Sequence, residues 1–223
     1  MPTFEILLIV VLAIVAGVGA LGLYVALRGE TPSAALEALG RGEYREALSV
    51  VGDDTRDDAM LAAATAARHC LEWEEARTRL RRVLEGDPRH GEAMIELALV
   101  HLYQNEMERA DRLFVDALGW RSDLLESITL HRAVTAILGG DPQRGRELFE
   151  EVEATLETKL RLDVGEGEPA FAEWFLHSAV VWDALGRRSQ AEWAWQAGRD
   201  AAPQSRLAEH LTTAFGIDPV AGN

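Results

Sequence analysis

Residues 101–117 read HLYQNEMERADRLFVDA, and the fold is predicted from the pattern within them. An apolar helix end is followed by a short polar turn, a small residue at Ala110 and a bulky residue, Phe114, four positions later. Four residues is about one helical turn, so Ala110 and Phe114 lie on the same face of a helix. The stretch predicts two helices joined by a tight turn, with a small residue where they cross and a large one filling the adjacent gap.

The same arrangement recurs along the chain. Similar segments read LGRGEYREA from residue 39, RHCLEWEEA from residue 68, ILGGDPQRG from residue 137 and WDALGRRSQA from residue 182. Strand-like alternation is absent, and helix-forming alanine, leucine, glutamate and arginine dominate. The small residue of each segment is Ala47, Ala76, Ala110, Gly145 or Ala191, at intervals of 29, 34, 35 and 46 residues.

The repeated pattern resembles the tetratricopeptide repeat, a helix-turn-helix unit with a period of 34 residues. The resemblance rests on the turn, the small residue, the bulky residue four positions later and, in two repeats, a closing proline, Pro88 or Pro203. It covers residues 31–203. It implies an all-α solenoid over residues 30–203, with repeats near 31–52, 57–90, 91–124, 126–160 and 172–203. Residues 204–223 are expected to form a capping helix and a loose tail.

The longest interval contains an insertion of about a dozen residues. It centres on residues 163–169, which read DVGEGEP, an acidic and glycine-rich composition that predicts a loop. Such a loop in a solenoid is either a local adaptation for binding or a neutral insertion, and both interpretations stay open.

The first thirty residues predict a transmembrane anchor, residues 1–29. Residues 6–27 carry no charge, and 22 residues form a helix of about 33 Å, the thickness of a bilayer's hydrocarbon core. A signal peptide is the alternative, but it requires a basic start and a shorter apolar core. Small residues four apart predict a helix contact within the membrane; they are Ala13, Gly17, Ala16, Ala20, Gly22 and Ala26.

The flanking charges give the predicted orientation. Arg28, Arg41 and Arg45 follow the apolar segment, whereas no lysine or arginine precedes it. Because positive flanks tend to remain in the cytoplasm, we expect a single-pass protein of the inner (cytoplasmic) membrane with its repeat domain on the cytoplasmic side.

Composition and motifs argue against several functions. The net charge of −15 repels phosphate backbones, so a nucleic-acid partner is not expected. The sequence has no phosphate-binding glycine loop, no nucleophile elbow and no pair of histidines four apart. The single cysteine, Cys70, cannot form an internal disulfide or a two-cysteine zinc site, and we interpret it as a small buried residue. We predict no catalytic residues, metal, cofactor or small-molecule substrate, and hence not an enzyme.

The resemblance also implies where a partner binds. In the family, the first helices of the repeats line a concave face that commonly binds peptides. Trp174 and Trp193 do not occupy repeat positions and are either surface anchors for a partner or helix-packing residues. Transferred to this sequence, the candidate groove consists of Arg68, His69, Glu96, Tyr103, His131, His177 and Asp183.

The expected function is a membrane-anchored protein–protein interaction scaffold or adaptor, whose partners are other proteins. The alternative is an accessory structural subunit of a larger bacterial membrane complex of respiratory, photosynthetic or secretion type. In that case the anchor itself is an interface, and co-purification with stoichiometric membrane subunits separates the two hypotheses.

Overall fold

The computed structural model describes residues 34–51, 54–155 and 169–220. All regular elements in these ranges are helical, which confirms the all-α prediction for this part of the chain. Two 3₁₀ turns, Ser122–Leu124 and Pro169–Phe171, precede α7 and α9. The α-helices are α1 Ala34–Gly40, α2 Tyr44–Val50, α3 Asp57–His69, α4 Trp73–Gly86, α5 Gly91–Tyr103, α6 Met107–Leu118, α7 Leu125–Leu138, α8 Pro142–Glu150, α9 Ala172–Ala184, α10 Arg188–Ala201 and α11 Leu207–Phe215.

Two predicted features lie outside the described residues. One is the anchor, residues 1–29, together with its proposed small-residue contacts; the other is the loop at 163–169, apart from Pro169. Within 34–51, 54–155 and 169–220, every helix is too short or too polar to cross a bilayer.

The helices form a stack of hairpins in two layers. Helices α1 to α10 pack in consecutive pairs, and the first helix of each pair also packs against the first helix of the next. The first helices are buried on most sides: ten of the 13 residues of α5 are buried, against three of the 12 in α6. A helix that is apolar all round belongs inside and one with a single apolar stripe belongs outside. The first helices therefore form the inner layer and the second helices the outer layer.

The same backbone conformation occurs in the turn of each helix pair. A residue with positive φ, between 62° and 89°, lies five positions before the small residue in all five pairs and ends the first helix. The small residue then allows close approach: a Cβ added to Gly145 would lie 2.9 Å from the carbonyl oxygen of Ala133. The bulky residues four positions later fill the interior behind it. They are Leu80, Phe114, Phe149 and Trp195, all buried.

The fifth pair packs back against the beginning of the stack. Ala172 and Ala202 share one apolar cluster with Tyr44 of α2 and with Cys70, which is buried there. Pro169 touches the first turn, since a Cβ on Gly42 would lie 3.0 Å from its Cγ. The stack therefore closes on itself, and its inner helices enclose a common interior.

Candidate functional site: a buried polar cluster

The structure places six of the seven predicted groove residues in this enclosed interior. Arg68, His69, Tyr103, His131 and His177 are buried, and Glu96 is half-buried. The interior at these positions is filled where the resemblance implied an open concave face, because α9 and α11 pack over it. The partner-binding role assigned to these residues stays a prediction.

Arg68 lies at the centre of the interior. Its side chain is 1% exposed and comes from the last turn of α3. Its Nε and Nη2 donate to the two carboxylate oxygens of Glu96 on α5, at 2.9 and 3.2 Å. Its Nη1 donates to Oε1 of Glu173 on α9, at 2.5 Å. A guanidinium is suited to such a forked arrangement because it presents several donors in one plane. One side chain thus links three inner helices.

A chain of hydrogen bonds continues from Glu173 across the interior. The hydroxyl of Tyr103 lies 2.6 Å from Glu173 Oε1 and 2.8 Å from His177 Nε2. The Nδ1 atoms of His177 and His131 lie 2.7 Å apart, and His131 Nε2 lies 3.2 Å from the hydroxyl of Ser127. We call Arg68 and Glu96 together with these five residues the polar cluster.

The carboxylate of Glu173 fixes the proton positions along this chain. Two oxygens at 2.6 Å need a proton between them, so Tyr103 donates to Glu173. His177 must then donate from Nε2 to the Tyr103 oxygen, which leaves its Nδ1 to accept from Nδ1–H of His131. His131 Nε2 in turn accepts from Ser127. Each histidine has one donor and one acceptor nitrogen, as in neutral imidazole.

Burial sets the charge state of the cluster. It lowers the pKa of His131 to about 3 and that of His177 to about 4, so both stay neutral near neutral pH. Burial alone would raise the pKa of Glu173, but the positive charge of Arg68 opposes it and the pKa lies well below its ordinary value. Burial raises the pKa of Glu96. The interior therefore holds one guanidinium, an ionised Glu173 and uncharged histidines.

His69 belongs to the edge of this interior. Its ring stacks on that of Tyr44, with centroids 4.2 Å apart, and its Nδ1 lies 2.8 Å from the hydroxyl of Ser205. Burial lowers its pKa to about 3. Helix α11 begins two residues beyond Ser205 and covers this side, where His210 Nε2 donates to the carbonyl oxygen of Tyr103 at 2.7 Å.

The remaining predicted residues lie elsewhere. Asp183 is half-buried in the last turn of α9 and is not a member of the polar cluster. Trp193 is 49% exposed, and its ring packs 5.5 Å from that of Phe175. Trp174 is partly buried, with its ring 6.0 Å from that of Phe171. Trp193 thus packs between α9 and α10, and Trp174 packs against the residue that precedes its own helix, while their role as partner anchors stays a prediction.

Sequence reasoning missed Glu173 and Ser127, although the repeat register contains a signal for them. Glu96, His131 and His177 each lie 14 positions before the small residue of their repeat. Glu173 and Ser127 lie 18 positions before it, one helical turn earlier on the same face. The predicted groove residues lie 7, 8 or 14 positions before the small residue, so the turn at 18 positions was not included.

The cluster joins four inner helices, α3, α5, α7 and α9, through charged and neutral hydrogen bonds. In the part of the chain that the structure describes, no group of three or more histidine, cysteine, aspartate or glutamate side chains could hold a metal ion. The geometry suits a network that specifies how the inner helices sit against one another.

Comparison with solved structures shows a likeness in fold. No protein-family model matches the chain, and no curated protein matches it. A solved structure described as "MamA MSR-1 C2" superposes with a TM-score of 0.44 and 13% sequence identity, covering 76% of this chain and 93% of that chain. At this level of identity and superposition, the likeness says nothing about what the chain binds.

Proposed function

We propose that this protein is a scaffold of tetratricopeptide-like helical repeats that binds other proteins, is anchored in the cytoplasmic membrane through residues 6–27, and is not an enzyme. The observation that carries the proposal is the hydrogen bonding within the polar cluster. The polar side chains best suited to chemistry, including His131, His177 and Glu173, are buried and bonded to one another. Their role is thus structural, and recognition falls to the surfaces of the stack.

The two-layer architecture supports protein binding in particular. Stacked helical hairpins present extended surfaces, and proteins built this way use them for recognition. The net charge of −15 favours partners with basic surfaces through long-range attraction. Repulsion from phosphate backbones makes nucleic acid a poor partner.

Purification of the full-length protein tests the proposal. The protein is extracted from native membranes with mild detergent, and co-purifying proteins are identified by mass spectrometry. We expect soluble protein partners whose yield falls as salt is raised, because the attraction is screened. Membrane subunits recovered in a fixed ratio would instead indicate the accessory-subunit alternative.

The anchor requires its own experiment. Deletion of residues 1–33 should release the protein from alkali-washed membranes, and the intact chain should remain with them. An intact chain that washes off would contradict the membrane anchor. The scaffold function would then still be tested by the purification experiment.

A further inference from the structure

The C-terminal segment bonds to two successive repeats at once. The main-chain N–H of Arg206 donates to the carbonyl oxygen of His69 at 2.9 Å, and His210 Nε2 donates to that of Tyr103 at 2.7 Å. His69 and Tyr103 are equivalent, since each lies seven positions before the small residue of its repeat. Arg206 and His210 are four residues apart, about one helical turn. Successive turns of the segment therefore contact the same place on successive repeats.

Apolar contacts accompany these bonds. Leu207 and Leu211 of α11 are fully buried and belong to the same core cluster as Tyr103. The ring of His210 lies 5.0 Å from that of Trp73. We call the surface formed by His69, Trp73 and Tyr103, at the ends of α3 and α5 and the start of α4, the docking site. It combines main-chain acceptors with an apolar floor, the surface that an amphipathic helix needs.

On its other side, α11 borders a cleft. The cleft has a volume of about 490 Å³ and separates α11 from α10, the helix that precedes it in the chain. Beyond α11, Arg188 Nη2 of α10 donates to the carbonyl oxygen of Pro219 at 2.6 Å. Helix α11 also packs against α10, so the docking site is one of two surfaces that hold the segment. Residues lining the cleft include Trp195, Gln196, Arg199, Glu209 and Thr212.

We propose that the docking site is a helix-binding site that α11 occupies in the isolated chain, and that an amphipathic helix of a partner protein binds there in its place. This inference rests on the proposed function and names the chemistry of the partner. The pattern to be matched is that of residues 205–211: a hydroxyl residue, a leucine two positions later, a donor side chain three after that and a second leucine next to it. These positions are Ser205, Leu207, His210 and Leu211.

A tethered helix is a strong competitor, because its effective concentration is on the order of millimolar. Weakening the attachment of α11 should therefore raise the apparent affinity for a helix supplied in solution. The side chains of Ser205 and His210 belong to the C-terminal segment and not to the docking site. Their removal leaves the site intact for an added peptide that still carries them.

The test uses the full-length chain in detergent and a fluorescent peptide of residues 203–220, with binding read by fluorescence anisotropy. The double variant Ser205→Ala/His210→Ala should bind the peptide about tenfold or more tightly than the wild-type chain does, since two hydrogen bonds of the competitor are lost. The matched control Glu209→Gln/Thr213→Ala alters exposed positions of α11 and should bind as the wild type does. A peptide with Leu207→Ala and Leu211→Ala should not bind.

Equal affinity of wild type and double variant overturns the proposal, as does binding of the peptide that lacks both leucines. Dimerisation of the double variant, seen by light scattering, also overturns it, because the occupant would then be a second copy of the chain. Should the variant fail to fold, hydrogen exchange of the wild-type chain decides: α11 amides must exchange faster than those of α5, and equal rates reject the proposal. Protein partners that co-purify although the peptide does not bind leave the scaffold function standing and remove only the docking site.

Discussion

At the scale of single residues, the interior depends on how Arg68 is neutralised. A buried guanidinium is tolerated only where carboxylates compensate its charge and accept its hydrogen bonds. Glu96 and Glu173 supply both, from two different helices. Glu173 also accepts a hydrogen bond from the Tyr103 hydroxyl and thereby sets the direction of every hydrogen bond as far as Ser127. One carboxylate thus determines the charge balance of the cluster and which atom donates in each of its hydrogen bonds.

Glu173→Gln should therefore lower the free energy of unfolding by about 3 kcal/mol, the usual cost of removing one partner from a buried ion pair. The change in the free energy of unfolding is measured by urea denaturation, with circular dichroism as the signal. Glu108→Gln is the matched control, since Glu108 is exposed on α6, and it should change stability by no more than about 0.5 kcal/mol. Equal effects of the two variants would mean that Arg68 is neutralised without Glu173.

The buried histidines predict a pH dependence of stability. The pKa values of His69 and His131 are lowered to about 3 and that of His177 to about 4, from an ordinary value of 6.5. Between pH 6.5 and about 4, the unfolded chain binds protons at these sites and the folded chain does not. Stability is therefore complete above pH 6.5 and falls with decreasing pH, by up to about 1.4 kcal/mol per pH unit for each histidine.

Denaturant titrations across that window measure the slope. The raised pKa of Glu96 has the opposite effect above pH 4.5, the ordinary pKa of a glutamate, because it stabilises the fold as the pH falls. It reduces the dependence of stability on pH without reversing it, since three histidines oppose one carboxyl group. In His177→Gln the slope should decrease. A stability that stays constant between pH 6.5 and 4 would show that the histidines are not held neutral in the fold.

At the scale of elements, the crossing of two helices in each hairpin depends on the small residue. Gly145→Ala adds a Cβ that would lie 2.4 Å from Ile137 Cγ1 and 2.9 Å from the Ala133 carbonyl oxygen. The variant should lose about 1–3 kcal/mol through overpacking, although alanine favours a helix more than glycine does. Gly86→Ala, at the end of α4 with open space around it, is the control and should be neutral or slightly stabilising. Thermal unfolding of both variants distinguishes crowding from propensity.

The helical pairs were predictable from the sequence because their causes are local. A left-handed turn residue, a small residue five positions later and a bulky residue four beyond it specify a hairpin within about fifteen residues, and Asn105, Ala110 and Phe114 show the full set. The same register places Glu96, His131 and His177 on one face. This much of the candidate site follows from periodicity alone.

The closure of the stack was not predictable in this way. The contact of Arg68 with Glu173 joins residues 105 positions apart, and it depends on small rotations that accumulate over the intervening hairpins. Repeat patterns constrain each hairpin and its neighbour but not the sum of these rotations. An open groove was therefore the natural expectation for residues that the structure finds enclosed.

At the scale of the whole described stack, closure changes how stability is shared. In an open solenoid each repeat is coupled to its neighbours only, so a local defect fades with distance along the chain. Here the ring of Tyr44 stacks on His69, and Tyr44 lies in one apolar cluster with Ala172 and Ala202 of the fifth pair. The first and fifth pairs are thus neighbours in space, and the stack should behave as one cooperative unit.

Tyr44→Ala should therefore accelerate hydrogen exchange in α9 and α10 as much as in α3 and α4, by about tenfold or more, since a large buried side chain is lost from the junction. Trp120→Ala is the control: Trp120 is 50% exposed beyond α6 and far from the closure in sequence, and its loss should leave α9 and α10 unchanged. Exchange that accelerates in α3 and α4 and fades before α9 would indicate nearest-neighbour coupling alone. Equal acceleration in α3 and α4 and in α9 and α10 requires the closing contact. An effect passed from hairpin to hairpin would instead weaken before it reached α9.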